Sequence, residues 1–159
     1  MSSTGIDASS VVRKLKRRGQ SLAVAESITG GGLAEAITSV AGSSAVFVGG
    51  IIAYSDQVKH TFLNIPKRVL TKETAVSEAV ARAMAEDVRK SFKSDFGIAT
   101  TGVAGPGKAY GQRAGTVWIA ISSKQSTHAI ALDLRGTRAE IRHITIQSAI
   151  ASFERILSL

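Results

Sequence analysis

Apolar and polar positions alternate along this chain with two periods, and the changes of period mark out its elements. A helical period predicts a helix over about Ile6–Arg18, ended by Gly19. The segment Ser21-Leu22-Ala23-Val24-Ala25-Glu26 is short and apolar, as a buried strand is. After three glycines Leu33, Ala34, Ile37 and Val40 recur at helical spacing, so a helix follows that strand through a tight turn. Ala45–Tyr54 is β-branched and apolar apart from Gly49-Gly50, which predicts a strand with a bulge or a close backbone approach. Ser55 is placed to cap a helix carrying Val58, Lys59, Phe62 and Leu63.

The second half repeats the alternation. Ser77 suits a helix N-cap, with Glu78 in the favoured first turn, and Val80, Met84, Val88 and Phe92 repeat every four residues as a buried stripe. Phe96–Thr101 is another short apolar strand. Strands over Gly115–Ser122 and Thr127–Leu134 follow, joined so briefly that they must pair antiparallel. Thr137-Arg138-Ala139-Glu140 has the spacing of a capping box and opens a helix to the C-terminus. Helices alternating with short apolar strands predict an α/β layered fold, mostly parallel with an antiparallel edge. Residues 1–11, rich in Ser, are expected to be flexible ahead of a single domain over residues 12–159.

Composition narrows the chemistry. The chain has 159 residues and no cysteine, which removes disulfides, thiolate metal sites and a Cys nucleophile. No apolar run approaches the ~20 residues of a spanning helix, and the N-terminus lacks signal-peptide order, so a soluble cytoplasmic protein is expected. Twenty Lys and Arg against 12 Asp and Glu give a net charge of +8. Five of those cations (Arg13, Lys14, Lys16, Arg17, Arg18) sit near the start, and the rest are scattered. Scattered positive charge favours anionic ligands generally. With one Trp, two Tyr and five Phe there is little aromatic surface for stacking single-stranded bases, which disfavours nucleic acid as the partner.

Ligands of open α/β sheets bind where strands end, and three segments bring polar or glycine-rich residues there. In Glu26-Ser27-Ile28-Thr29-Gly30-Gly31-Gly32 a hydroxyl stands beside backbone amides at a strand-to-helix turn. That is either a turn needing small residues or a nucleophile with an oxyanion hole. Tyr54-Ser55-Asp56-Gln57-Val58-Lys59 ends the Gly49-Gly50 strand, and its lysine taken alone would suit a solvated helix face. Thr101-Gly102-Val103-Ala104-Gly105-Pro106-Gly107 could cradle phosphate through backbone amides. Neither glycine loop has the spacing of a Walker A or dinucleotide-binding fingerprint. His60, His128 and His143 have no metal-ligand spacing, so no metal or cofactor is expected.

Six blocks in order resemble one family. They are Ala25-Glu26-Ser27-Ile28-Thr29-Gly30-Gly31, Gly42-Ser43-Ser44-Ala45-Val46-Phe47, Tyr54 to Lys59, Ala75-Val76-Ser77, Thr101 to Pro106, and Gly115-Thr116-Val117-Trp118-Ile119-Ala120. Together they resemble the CinA C-terminal domain family, also called the PncC family, over nearly the whole chain from about Val12. The resemblance implies a three-layer α/β/α sandwich and an amidohydrolase converting nicotinamide mononucleotide to nicotinate mononucleotide and ammonia. It implies a Ser–Lys dyad at Ser27 and Lys59, with Tyr54 and Thr101 beside the nucleophile. The amides of Thr29, Gly30 and Gly31 become oxyanion or phosphate donors, Gly102 and Gly105 line the nucleotide site, and Arg138 or Arg142 meets the phosphate.

The implied partner is a small nucleotide, in a protein that forms a homo-oligomer. Two positions depart from the family pattern: Ile28 stands where Cys is usual, and the segment Gly107–Ala114 is shorter and more basic. The alternative is a non-catalytic domain that binds pyridine nucleotides for regulation.

Overall fold

The computed structural model describes residues 6–159. In chain order the elements are α1 (Ser9–Arg18), β1 (Leu22–Glu26), α2 (Gly32–Thr38), β2 (Phe47–Ile52), α3 (Asp56–Leu63), α4 (Lys67–Glu73), α5 (Glu78–Ser91), β3 (Phe96–Gly102), β4 (Thr116–Ser122), β5 (Thr127–Asp133) and α6 (Arg138–Leu157). The sheet order is β2-β1-β3-β4-β5. β1 lies parallel to both its neighbours, β4 runs antiparallel to β3, and β5 runs antiparallel to β4. This is the mostly parallel α/β sheet with an antiparallel edge that the pattern predicts.

The expected flexible stretch overlaps α1. Residues 9–11 are helical and Val11 is buried, because Val11, Val12 and Leu15 give α1 an apolar stripe to set against α6. The part of that expectation covering residues 1–5 lies outside the described residues. The sequence pattern gives no element between Leu63 and Ser77, yet α4 occupies Lys67–Glu73.

The two faces of the sheet differ in side-chain size, and that difference sets the layers. One face presents Leu22, Val24, Phe96, Ile98, Val117, Ile119 and Ile121, which pack with α1, α2 and α6. The other presents Ala23, Ala25, Ala99 and Ala120 to α5 and its neighbours Leu63, Ile65 and Leu70. Small residues let α5 approach closely. A Cβ on Gly97 would lie 2.9 Å from Arg89 Cβ and closer still to the Ala85 carbonyl oxygen, so only glycine fits there.

The predicted bulge in β2 is present as a register shift, with Leu22 opposite Phe47 but Ala23 opposite Gly49. The capping box is present in full: Thr137 Oγ1 accepts from the Glu140 amide and Glu140 accepts from the Thr137 amide. Among the described residues no helix is long and apolar enough to cross a membrane.

Candidate active site

β1 and β2 end side by side, and the two chemical groups of the site leave from those ends. The Ser27 amide donates to the Thr100 carbonyl at 2.9 Å, extending the β1–β3 pairing by one residue and fixing the serine at the sheet's edge. The chain then turns sharply through Gly30 (φ +55°) and Gly31 (φ +103°), left-handed conformations that glycine adopts without strain. Beneath the turn lies the Glu26 carboxylate, 1% exposed. Its Oε1 accepts from the Leu33 amide at 2.7 Å and the Thr29 hydroxyl at 2.6 Å, and Oε2 accepts from the Ala34 amide at 3.0 Å. Glu26 thus caps α2 from seven residues upstream, satisfying N–H groups the helix cannot and placing negative charge at its positive end. Sequence reasoning assigns Glu26 no role, because the contact spans a loop with no fixed spacing.

On the neighbouring strand, the Ala53 amide donates to the Glu26 carbonyl at 2.7 Å, and Ser55 caps α3 by accepting from the Val58 amide. Lys59 falls in the first turns of α3 and points back beneath β1. Its Nζ lies 2.8 Å from the Ala53 carbonyl oxygen and 3.0 Å from Ser27 Oγ. The lysine is 1% exposed and makes no ion pair among the described residues. Burial drives its pKa down from the ordinary lysine value, because the charged form loses its water; Asp56 pulls weakly the other way. Nζ donates to both, so the Ala53 carbonyl and the Ser27 hydroxyl are the amine's two hydrogen-bond partners.

A cavity of about 240 Å³ opens above Ser27, lined by Ile28, Tyr54, the run Gly102–Tyr110 and Arg138. Gly102 and Gly105 both line this cavity. Arg138 lies at the rim, donating to the Gly105 carbonyl at 2.6 Å and the Tyr54 hydroxyl at 3.0 Å. The second rim cation is Lys108, from the basic segment after Pro106.

Other expected residues are placed differently. Arg142 is off the cavity wall: it donates to the carbonyls of Ile28 at 3.2 Å and Thr29 at 3.0 Å, so it braces the serine turn from behind and does not reach toward a phosphate. The Gly30 amide donates to the Ser27 carbonyl at 3.1 Å within the turn itself, which removes it as an oxyanion donor. Thr29 and Gly31 do not line the cavity, and the Thr29 hydroxyl is buried 2.7 Å from that of Thr100. Thr101 Oγ1 donates to the Ala75 carbonyl at 2.6 Å and is 1% exposed, so it braces the site from below. Sequence reasoning missed Lys108 and Tyr110 as wall residues; their signal was the altered segment itself. Among the described residues no group of three His, Asp or Glu side chains is placed to hold a metal ion.

Residues 7–157 match the family model described as the CinA C-terminal domain. The chain belongs to this family. A CinA-like protein of Synechococcus sp. (strain RCC307) is 55% identical over 100 residues, which are 63% of this chain and 24% of that protein. A Streptococcus pneumoniae relative is 42% identical over 143 residues, 89% of this chain and 34% of the relative. The chain thus spans about a quarter to a third of these CinA-family relatives. The crystal structure of the competence damage-inducible protein A from Klebsiella pneumoniae superposes with a TM-score of 0.92 at 32% identity, over 95% of this chain and 94% of that one. The crystal structure of the competence/damage inducible protein CihA from Agrobacterium tumefaciens gives 0.91 at 30% identity, covering 96% of this chain and 93% of that one.

Proposed function

We propose that this domain hydrolyses the carboxamide of nicotinamide mononucleotide to nicotinate mononucleotide and ammonia, with Ser27 as nucleophile and Lys59 as its base. The observation that carries the reading is the 3.0 Å approach of a buried, charge-unpaired lysine amine to a serine hydroxyl at a cavity floor. An amide carbon resists attack unless the hydroxyl surrenders its proton as it bonds. Lysine can take that proton only when desolvation keeps it neutral, and here burial is the dominant influence on its pKa.

Neutral Lys59 removes the Ser27 proton as Oγ adds to the carboxamide carbon, giving a tetrahedral oxyanion. Protonated Lys59 then delivers the same proton to the nitrogen as the C–N bond breaks, so that ammonia departs and an acyl-serine ester remains. Water, deprotonated by the same lysine, adds to the ester; the C–Oγ bond breaks as Ser27 recovers that proton, and the carboxylic acid released gives up its own proton to solvent or to the ammonia. The Ala53 carbonyl holds the amine on line throughout by accepting a second N–H. At the rim, the positive charges of Arg138 and Lys108 suit a dianionic phosphate, and Gly102 and Gly105 leave room for the ribose.

The test is incubation of purified protein with the nucleotide and assay of ammonia. Turnover that disappears in Ser27→Ala, with circular dichroism unchanged, is the expected result. Nucleotide binding with no ammonia anywhere between about pH 6 and 10 would instead mark a non-catalytic nucleotide-binding domain.

A further inference from the structure

The run from Gly107 to Ala114 forms a tight hairpin over the cavity. Ala109 and Gln112 exchange two backbone hydrogen bonds, of 3.0 and 2.9 Å, around Tyr110 and Gly111. Both central residues have positive φ, 53° and 72°. That geometry is a type I′ turn, which favours Asn-Gly or Gly-Gly and disfavours a bulky residue in first place. Tyrosine therefore occupies a position where the backbone would be easier with glycine or asparagine, and the hairpin's own stability does not explain it.

What tyrosine does there shows in its surroundings. The base of the hairpin is pinned independently of it. Gln112 donates to the Val76 carbonyl at 2.7 Å, and Arg113 pairs with Asp133 and donates to the Leu134 carbonyl at 3.1 Å. Tyr110 is one of the residues lining the cavity and remains 46% exposed. Burial, and after it the charge of Asp56, raises the pKa of its hydroxyl. The tip thus sets a tyrosine, in a backbone conformation that it does not favour, on the wall of the cavity that holds Ser27.

We propose that Tyr110 is a ring-binding residue of this site: its face forms the wall on which a planar heteroaromatic amide lies. The proposal rests on the pyridine-nucleotide reading for the identity of the ring. It makes the site selective for flat aromatic amides over aliphatic ones, because the wall binds through its π-face.

Three variants separate ring, hydroxyl and backbone. Tyr110→Asn suits the left-handed turn better than tyrosine, so a merely structural role predicts unchanged or improved behaviour. The proposal predicts that KM for nicotinamide mononucleotide and the calorimetric Kd for nicotinate mononucleotide both rise about tenfold, with kcat within twofold. Tyr110→Leu, which keeps bulk but not the π-face, gives the same loss. Tyr110→Phe restores most of the affinity. Unchanged Kd in Tyr110→Asn, or a loss in Tyr110→Phe as large as in Tyr110→Leu, overturns the assignment. If the wild-type protein binds the nucleotide but releases no ammonia, the hydrolytic reading fails while the Kd comparison still decides the role of Tyr110.

Discussion

A lysine amine buried against a carbonyl and a hydroxyl is held against its own hydration, and on the proposed reading it acts there as a base. The rate should therefore follow the fraction of Lys59 that is neutral. We predict that kcat/KM for amide hydrolysis rises with pH along a single limb whose midpoint lies below the ~10.4 of an ordinary lysine, as the burial of Lys59 requires. Lys59→Arg keeps the charge and length but cannot lose its proton at any working pH, so it should cost about a thousandfold and abolish the limb. A profile flat from pH 6 to 10 in the wild type would detach the lysine from the chemistry. Ser27 could be singled out from its place where a strand ends beside glycines, whereas Lys59 taken alone suited a solvated helix face and was paired with it only through the family resemblance. The two arginines were not separable in the same way. Arg138 and Arg142 lie one turn apart on α6, and nothing local says that the first meets the cavity rim while the second meets carbonyls of the serine turn.

At the scale of elements the sheet's small-residue face is the feature on which the site depends. α5 packs close against β3 because Gly97 has no side chain, and β3 in turn receives the Ser27 amide through Thr100 and anchors Ala75 through Thr101. Gly97→Ala should push α5 off the strand, costing about 1–3 kcal/mol and lowering Tm by roughly 2–4 °C for each of them in scanning calorimetry. An unchanged Tm would show that the helix can shift at no cost. The strands, the Ser55 and Ser77 caps and the Thr137–Glu140 box were readable because each is a local pattern. α4 was not readable: it has seven residues, buries only Leu70 and has no side-chain cap, so no periodicity or start signal reveals it. α1 was readable from its helical period, while the partner of its apolar stripe was not, since that stripe packs with α6, more than a hundred residues away.

For the whole molecule, on the proposed reading, the buried Lys59 couples activity to stability. Folding takes Lys59 from water, where it binds a proton up to about pH 10.4, into a site that depresses its pKa. Between the depressed value and ~10.4 the unfolded chain carries the extra proton, so unfolding becomes harder as pH rises through that window. Below the window both states are protonated and the penalty is complete; above it both are neutral and the penalty is gone. Lys59→Met removes the titration while keeping an unbranched apolar stem. It also leaves the Ala53 carbonyl without its donor, a cost that does not vary with pH. The difference in Tm between Lys59→Met and wild type should therefore favour the variant most at low pH and shrink as pH climbs toward 10, by roughly 3–6 °C for each unit of pKa depression. Such a variant would be inactive and, near neutrality, the sturdier protein, as expected where a catalytic group is kept in a place that folding alone would not choose. If the two Tm curves run parallel across the whole range, Lys59 folds with its proton retained and cannot serve as the base.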